Sequence, residues 1–184
     1  SRTIGLEIIE QKQDSCLLKV MLQEDIGEFD KFLRRIFTVT SEMNRNLINA
    51  LKSNDPAMLA LVHENHDTAT RFISYIVRML NKIGYKDPKK TILLHTLIEC
   101  VEIIIDIIED SAMLSADLKK ASKESMVIME EIGRTIEQFE IFFYKFNTEN
   151  LNKISKMRSD IDKRVRQANL GNAEQRILDN MRMI

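Results

Sequence analysis

Two short runs rich in Ile, Leu and Val, Thr3 to Glu10 and Cys16 to Leu22, flank the polar stretch Gln11-Lys12-Gln13-Asp14. Lengths of that kind suit the two strands of a hairpin. From Glu24 the spacing changes: Phe29, Phe32, Leu33, Ile36, Phe37, Met43, Leu47, Ile48 and Leu51 recur at three- and four-residue steps, which align side chains on one helix face. Asp55-Pro56 predicts the start of a second helix, with Asp55 accepting a backbone N–H and Pro56 in the first turn. That helix runs from Met58 through Ile73, Ile76 and Leu80 to Gly84, placed as a left-handed C-terminal cap. Asp87-Pro88 opens a third helix whose Ile, Leu and Val residues cover most of its circumference, so it is expected to be surrounded by protein. The pattern lapses between Ala112 and Ala121. A fourth helix carries Met129, Ile132, Ile136, Phe139, Phe143 and Phe146 to Asn147. Thr148 is expected to cap a fifth, ended by Gly171, and a sixth begins near Asn172 with its apolar pattern still running at Ile184.

Composition narrows the picture. Among 184 residues there are only 5 Gly and 2 Pro, too few for the turns that sheets demand, so the fold class is all-α behind a β-rich lead-in. Lys+Arg 27 against Asp+Glu 28 leaves a net charge of -1, without the basic excess that binds nucleic acid. Cys16 and Cys100 lie far apart and outside any CxxC pair, which fits a reducing, cytoplasmic setting. Ser1-Arg2-Thr3-Ile4-Gly5 lacks the features of a signal peptide. The most apolar stretch, Thr91 to Ile108, is interrupted by His95, Glu99, Glu102 and Asp106, and so reads as a helix buried in protein rather than a membrane span.

Laid on one another, the stretches beginning at Asn54 and Asn147 match in loop and cap, and in the same register Leu61 falls on Ile154, Asp67 on Asp160 and Arg71 on Arg164. A duplicated helical unit explains this agreement. The expected organisation is a lead-in over 1–23, a three-helix unit over 24–118 and a second, incomplete one over 119–184, packed as antiparallel bundles.

The segments Arg2 to Gln11, Glu28 to Phe37, Asn81 to Thr91 and Leu97 to Glu102 resemble the PhoU-like regulators of archaeal type, in which a PhoU domain commonly follows an AbrB-like DNA-binding domain. The resemblance implies tandem three-helix bundles, a non-enzymatic role in restraining phosphate uptake and phosphate signalling, and nucleic-acid contact only through a separate fused domain. It also implies a divalent metal or iron held by an acidic E-x-x-x-D element, here Glu102 and Asp106, with Ile105 where the family has Gly. The family's second acidic element falls on Glu64, His66 and Asp67, with Thr70 in place of an Asp.

The residues themselves allow part of that chemistry. His95, Glu99, Glu102, Asp106 and Glu109 form one stripe of the third helix, and carboxylates and imidazoles are ligands for Mg, Mn, Fe or Zn. The alternative is that the stripe is where an apolar helix meets water. His63, Glu64, His66 and Asp67 lie within one turn of the second helix, either facing that stripe or solvated. Cys100 reads as a small core residue, and Lys153, Lys156, Arg158, Lys163, Arg164 and Arg166 as a solvated face with local charge pairing. No phosphate loop, nucleophile elbow or paired ExxH motif points to an enzyme. The sequence therefore leads to a PhoU-like regulator, a homodimer acting on a phosphate transporter or signalling protein; the alternative is a ligand-independent dimerisation module of a transcriptional regulator.

Overall fold

The computed structural model describes residues 6–11, 15–20, 26–116, 118 and 120–184. Strand β1 (Leu6–Gln11) pairs antiparallel with β2 (Cys16–Val20), Leu6 opposite Val20 and Gln11 opposite Cys16, with an irregularity between Ile8 and Glu10. The expected turn at Lys12-Gln13-Asp14 and the start of the first helix at Glu24 lie outside the described residues. Six helices follow: α1 (Ile26–Ser53), α2 (Pro56–Ile83), α3 (Pro88–Ser115), α4 (Lys123–Tyr144), α5 (Thr148–Gln167) and α6 (Asn172–Met181).

The helix starts follow from local chemistry. Asp55 and Asp87 each accept the N–H two residues on, at 2.9 and 3.1 Å, ahead of a proline that has no N–H to satisfy. Asn147, not Thr148, caps α5, because its amide oxygen accepts from Asn150 N at 2.7 Å while Thr148 is already helical. Two helices stop earlier than expected: α4 ends at Tyr144 with its cap at Lys145, and α5 ends at Gln167, where Ala168 is extended, ahead of Gly171. Gly84 closes α2 at φ 72° and ψ -176°, a backbone region essentially restricted to glycine but not the left-handed helical one.

Helices α1, α2 and α3 all touch one another, as do α4, α5 and α6; α1 on α4 and α3 on α6 join the two groups. The buried side chains form one cluster, with Phe29, Phe37, Met43 and Leu47 of α1 at its centre. At its edges, rings pack at tilted angles: Phe32 on Tyr75 at 4.6 Å and Phe37 on Phe143 at 5.4 Å between centroids. Tyr144, its hydroxyl pushed up to about 12 chiefly by burial, lies under the Arg34 guanidinium at 4.4 Å.

The expectation that α3 is enclosed on all sides does not hold. Leu94, Ile98, Val101, Ile105 and Ile108 are buried, whereas Ile92, Leu93 and Ile103 are 80%, 57% and 58% exposed. Helices α1 and α2 pack on one side of α3, and α6 meets it at its C-terminal half, where the Asn180 amide donates to Ile107 O and Ser111 Oγ; the side carrying Ile92 and Leu93 has no covering element among the described residues. Cys100, expected in the core, is exposed on that side.

One contact sets how closely the second trio approaches the first. Gly133 of α4 lies so close to α1 that a Cβ there would overlap the amide nitrogen of buried Asn44. Alanine gains about 1 kcal/mol of helix propensity over glycine, but overpacking costs about 1–3 kcal/mol. Gly133→Ala should therefore lower the denaturant midpoint, and adding Asn44→Ala should recover part of the loss; a stabilised single variant would show that the approach is not tight.

Within the second trio, Glu174 of α6 accepts from the Ser122 backbone N–H and from Ser125 Oγ at 2.7 Å, tying together the starts of α4 and α6. Burial opposes its charge, but these bonds and the Gly171 backbone outweigh it and hold the carboxyl below its usual range. A depressed carboxyl stabilises above its unfolded value, and the contribution is lost as pH falls through the folded one. Glu174→Ala should cost about 1–2 kcal/mol at pH 7, and the gap from wild type should close in acid; a gap constant with pH would dismiss the charge.

Candidate functional site: the α2–α3 seam

The register of the α2–α3 hairpin decides which polar residues meet. Its turn is pinned by the Tyr85 N–H, which donates to Thr91 Oγ1 at 3.0 Å, and by the Tyr85 hydroxyl, which donates to Asp30 Oδ1 at 3.1 Å. Edge-on packing of Tyr85 against Phe29, with centroids 5.2 Å apart, holds that side chain over α1. From this turn the two helices run back antiparallel, so residues equally far from it face each other.

Two histidines of α2 converge in this way on α3. His63 Nδ1 lies 2.5 Å from Glu109 Oε1, and His66 Nε2 lies 2.9 Å from Glu109 Oε2 and 3.1 Å from Asp106 Oδ1. The two imidazole rings are nearly parallel, with centroids 6.5 Å apart. Glu109 thus bridges both imidazoles from a sheltered position, its side chain 17% exposed and that of His66 18%, while Asp106 stands at the rim at 59%. His66 Nε2 carries the hydrogen these carboxylates share, and its buried Nδ1 has no partner among the described residues. One turn back, Glu102 is raised above the usual carboxylate range, first by burial, then by Asp106 and Glu99, with His66 pulling the other way.

The seam gathers only part of the residues singled out in the sequence. His66, Asp106 and Glu102 come together. Glu99 points outward, 66% exposed, at 3.9 Å from His95 Nδ1, and His95 itself bonds Asn81 Oδ1 at 2.9 Å toward the turn. Glu64 is exposed, and among the described residues neither it nor Asp67 makes a side-chain bond to α3; their carbonyls accept from Thr68 and Arg71 within α2. Glu109 and His63 are visible in the sequence, but only the hairpin register makes Glu109 the meeting point. That signal was available in the Gly84–Asp87 turn, from which His63 and Glu109 are equidistant, as are His66 and Asp106.

As arranged, the donor atoms bond one another rather than surround a void, and no group of three or more of them forms a preformed cation cage among the described residues. A divalent ion fits the donor types, two imidazoles and two carboxylates, only by displacing the imidazole–carboxylate hydrogen bonds and the proton on Nε2. On α5, Arg164 pairs with Glu131 at 2.8 Å and Arg166 with Asp162 at 2.8 Å, so part of its basic face is neutralised locally. Among the described residues no helix is long and apolar enough to cross a membrane. The chain matches no family model, no curated protein and no solved structure.

Because the charge on Glu102 is disfavoured in the folded protein, stability falls as pH rises from the ordinary carboxylate value through the raised one. Glu102→Gln should therefore raise the melting temperature at pH 7 and lose that advantage near pH 4. Equal melting temperatures at pH 7 would show that the carboxyl carries no penalty.

Proposed function

We propose that this chain is a non-enzymatic, PhoU-like regulatory module that acts by contact with a protein partner and is modulated by a divalent cation or iron at the α2–α3 seam. The reading rests on the convergence of His63 and His66 on Glu109, with Asp106 at the same level. Two mutually packed helix trios accord with it, as tandem bundles of the PhoU kind would require, and so does the likeness of the segments around Glu28, Asn81 and Leu97 to those regulators. His66, Glu109 and Asp106 would hold the ion, which supplies positive charge to relieve the acid stripe. The physiological partner in this reading is a phosphate transporter or phosphate-signalling protein, the setting is cytoplasmic, and DNA contact belongs to a separate fused domain.

In mechanism, His66, Glu109 and Asp106 would exchange the imidazole–carboxylate bonds that hold α2 against α3 for bonds to a bound ion, which would supply positive charge there. A ligand shifts a partner equilibrium only by its differential affinity for two arrangements, and in this reading those would be the seam bonded directly, as seen, and the seam bridged by an ion.

Titration calorimetry with Mn2+ and Zn2+, on protein purified without chelator, is the test. Wild type should bind one ion, and Asp106→Asn with Glu109→Gln should bind at least about tenfold more weakly. Equal affinity in both proteins, or no uptake by wild type, rejects the cation role. The open apolar side of α3, with Ile92, Leu93 and Ile103 exposed, favours a second reading, a ligand-independent dimerisation module. Light scattering separates the two, because such a dimer ignores EDTA.

A further inference from the structure

The E-x-x-x-D pair of α3, Glu102 and Asp106, offers oxygen alone, but the α2–α3 seam does not gather that pair. Among the described residues Glu102 makes no hydrogen bond to either imidazole, whereas Asp106 and Glu109 stand at the level of His63 and His66. What converges is two ring nitrogens from α2 and two carboxylates from α3. Each nitrogen–oxygen contact is between 2.5 and 3.1 Å long. Donors of a tetrahedral site with bonds of about 2.0–2.1 Å stand about 3.3 Å apart, so each of these contacts becomes an edge of such a site by opening less than about 1 Å. Among the described residues neither carboxylate pairs with Lys or Arg. The arginine about one turn further along α2, Arg71, is engaged on its own helix, donating to Asp67 O at 3.1 Å and Thr68 Oγ1 at 3.2 Å. The buried Nδ1 of His66 has no partner there either, so the contacts that aim this ring all lie at Nε2.

We propose that His63 is a ligand of the seam beside His66, Glu109 and Asp106, and that this set of two imidazoles and two carboxylates takes Zn2+, Co2+ or Fe2+ and turns away Mg2+ and Ca2+. This rests on the reading of the seam as a cation site and deepens it by naming the class of ion and a fourth ligand. The donor chemistry makes the selection. Mg2+ keeps an octahedral shell of oxygen and water, and Ca2+ takes six to eight oxygens, so a site with half its donors nitrogen satisfies neither. Imidazole suits Zn2+ and Fe2+, and affinity at such a site rises from Mn2+ through Fe2+ to Co2+. The side chain of His63 is 69% exposed and that of His66 18%. The outer ring therefore tunes the donor set without supporting the core, and it can be replaced while the sheltered His66–Glu109 contact stays in place.

Titration calorimetry tests this on the full chain with Cys16→Ser and Cys100→Ser, since thiolates bind the same ions. After stripping with chelator, the protein is titrated separately with Zn2+, Co2+, Mg2+ and Ca2+. Zn2+ and Co2+ should each bind at least about a hundredfold more tightly than Mg2+ or Ca2+. His63→Ala should weaken Zn2+ and Co2+ at least about tenfold with circular dichroism unchanged. The same variant should alter the visible absorption of the Co2+ complex, which reports the atoms bound to the metal and which a packing role for His63 would not move. Mg2+ or Ca2+ binding as tightly as Zn2+, or a Co2+ complex of His63→Ala identical to that of its parent, overturns the assignment and leaves the broader cation reading standing. Zn2+ uptake indifferent to Glu109→Gln lies elsewhere on the chain and overturns it too. Uptake of none of these ions removes both readings together.

Discussion

Burial of the apolar face of α1 is the constraint on which the remaining structure depends. Phe29, Phe37, Met43 and Leu47 are wholly buried because α2, α3 and α4 each supply a wall around that helix. Side chains of this size are worth about 1.5–3 kcal/mol each when removed from water, which outweighs any single cap or ion pair at the surface. The walls approach closely where residues are small: Gly133 lets α4 reach Asn44. The position of the second trio is thus set by a lack of side chain as much as by hydrophobic area.

A consequence appears on α3. Its sequence is apolar around most of its circumference, but α1 and α2 cover one side and the short α6 only part of another. A helix with more apolar surface than its neighbours can cover must leave some exposed, and here this is the stripe carrying Ile92 and Ile103. Periodicity reports which side chains avoid water in general. It does not report which neighbours reach those side chains, and that is why enclosure of α3 was expected and is not found among the described residues. Cys100 follows its helix face outward for the same reason.

The starts of α2 and α3 were legible because capping is local chemistry: Asp55 and Asp87 each meet the backbone N–H two residues on. Ser122 caps α4 in the same way, but no such start was read there, where the apolar pattern lapses. Ends were less legible: α5 stops at Gln167, where Ala168 turns extended, and Gly171 serves as the cap position of α6 rather than as the terminus of α5. The seam was half legible. Stripe membership of Glu102, Asp106 and Glu109 follows from spacing alone, but the dominance of Glu109 needs the distance of each residue from the Gly84–Asp87 turn, a tertiary register that no helical wheel contains.

These findings give α3 three separate faces. The core face carries Leu94, Ile98, Val101 and Ile105; the acid face carries Glu102, Asp106 and Glu109 toward the α2 histidines; the open apolar face carries Ile92, Ile103 and Ile107. Successive residues turn by 100°, so a roll of the helix that loosens one face tightens or exposes another. Close packing allows such a roll only as a shift between discrete arrangements. If replacing the imidazole–carboxylate bonds at the seam changes the roll of α3, it changes the presentation of Ile92 and Ile103 by the same motion, and the coupling is reciprocal: association at the open face alters affinity at the seam by an equal free energy. A rigid α3 makes the two faces independent, each titrating without regard to the other. What decides between these cases is the core face between them, where Ile98 and Ile105 are almost completely buried and set the cost of any rotation.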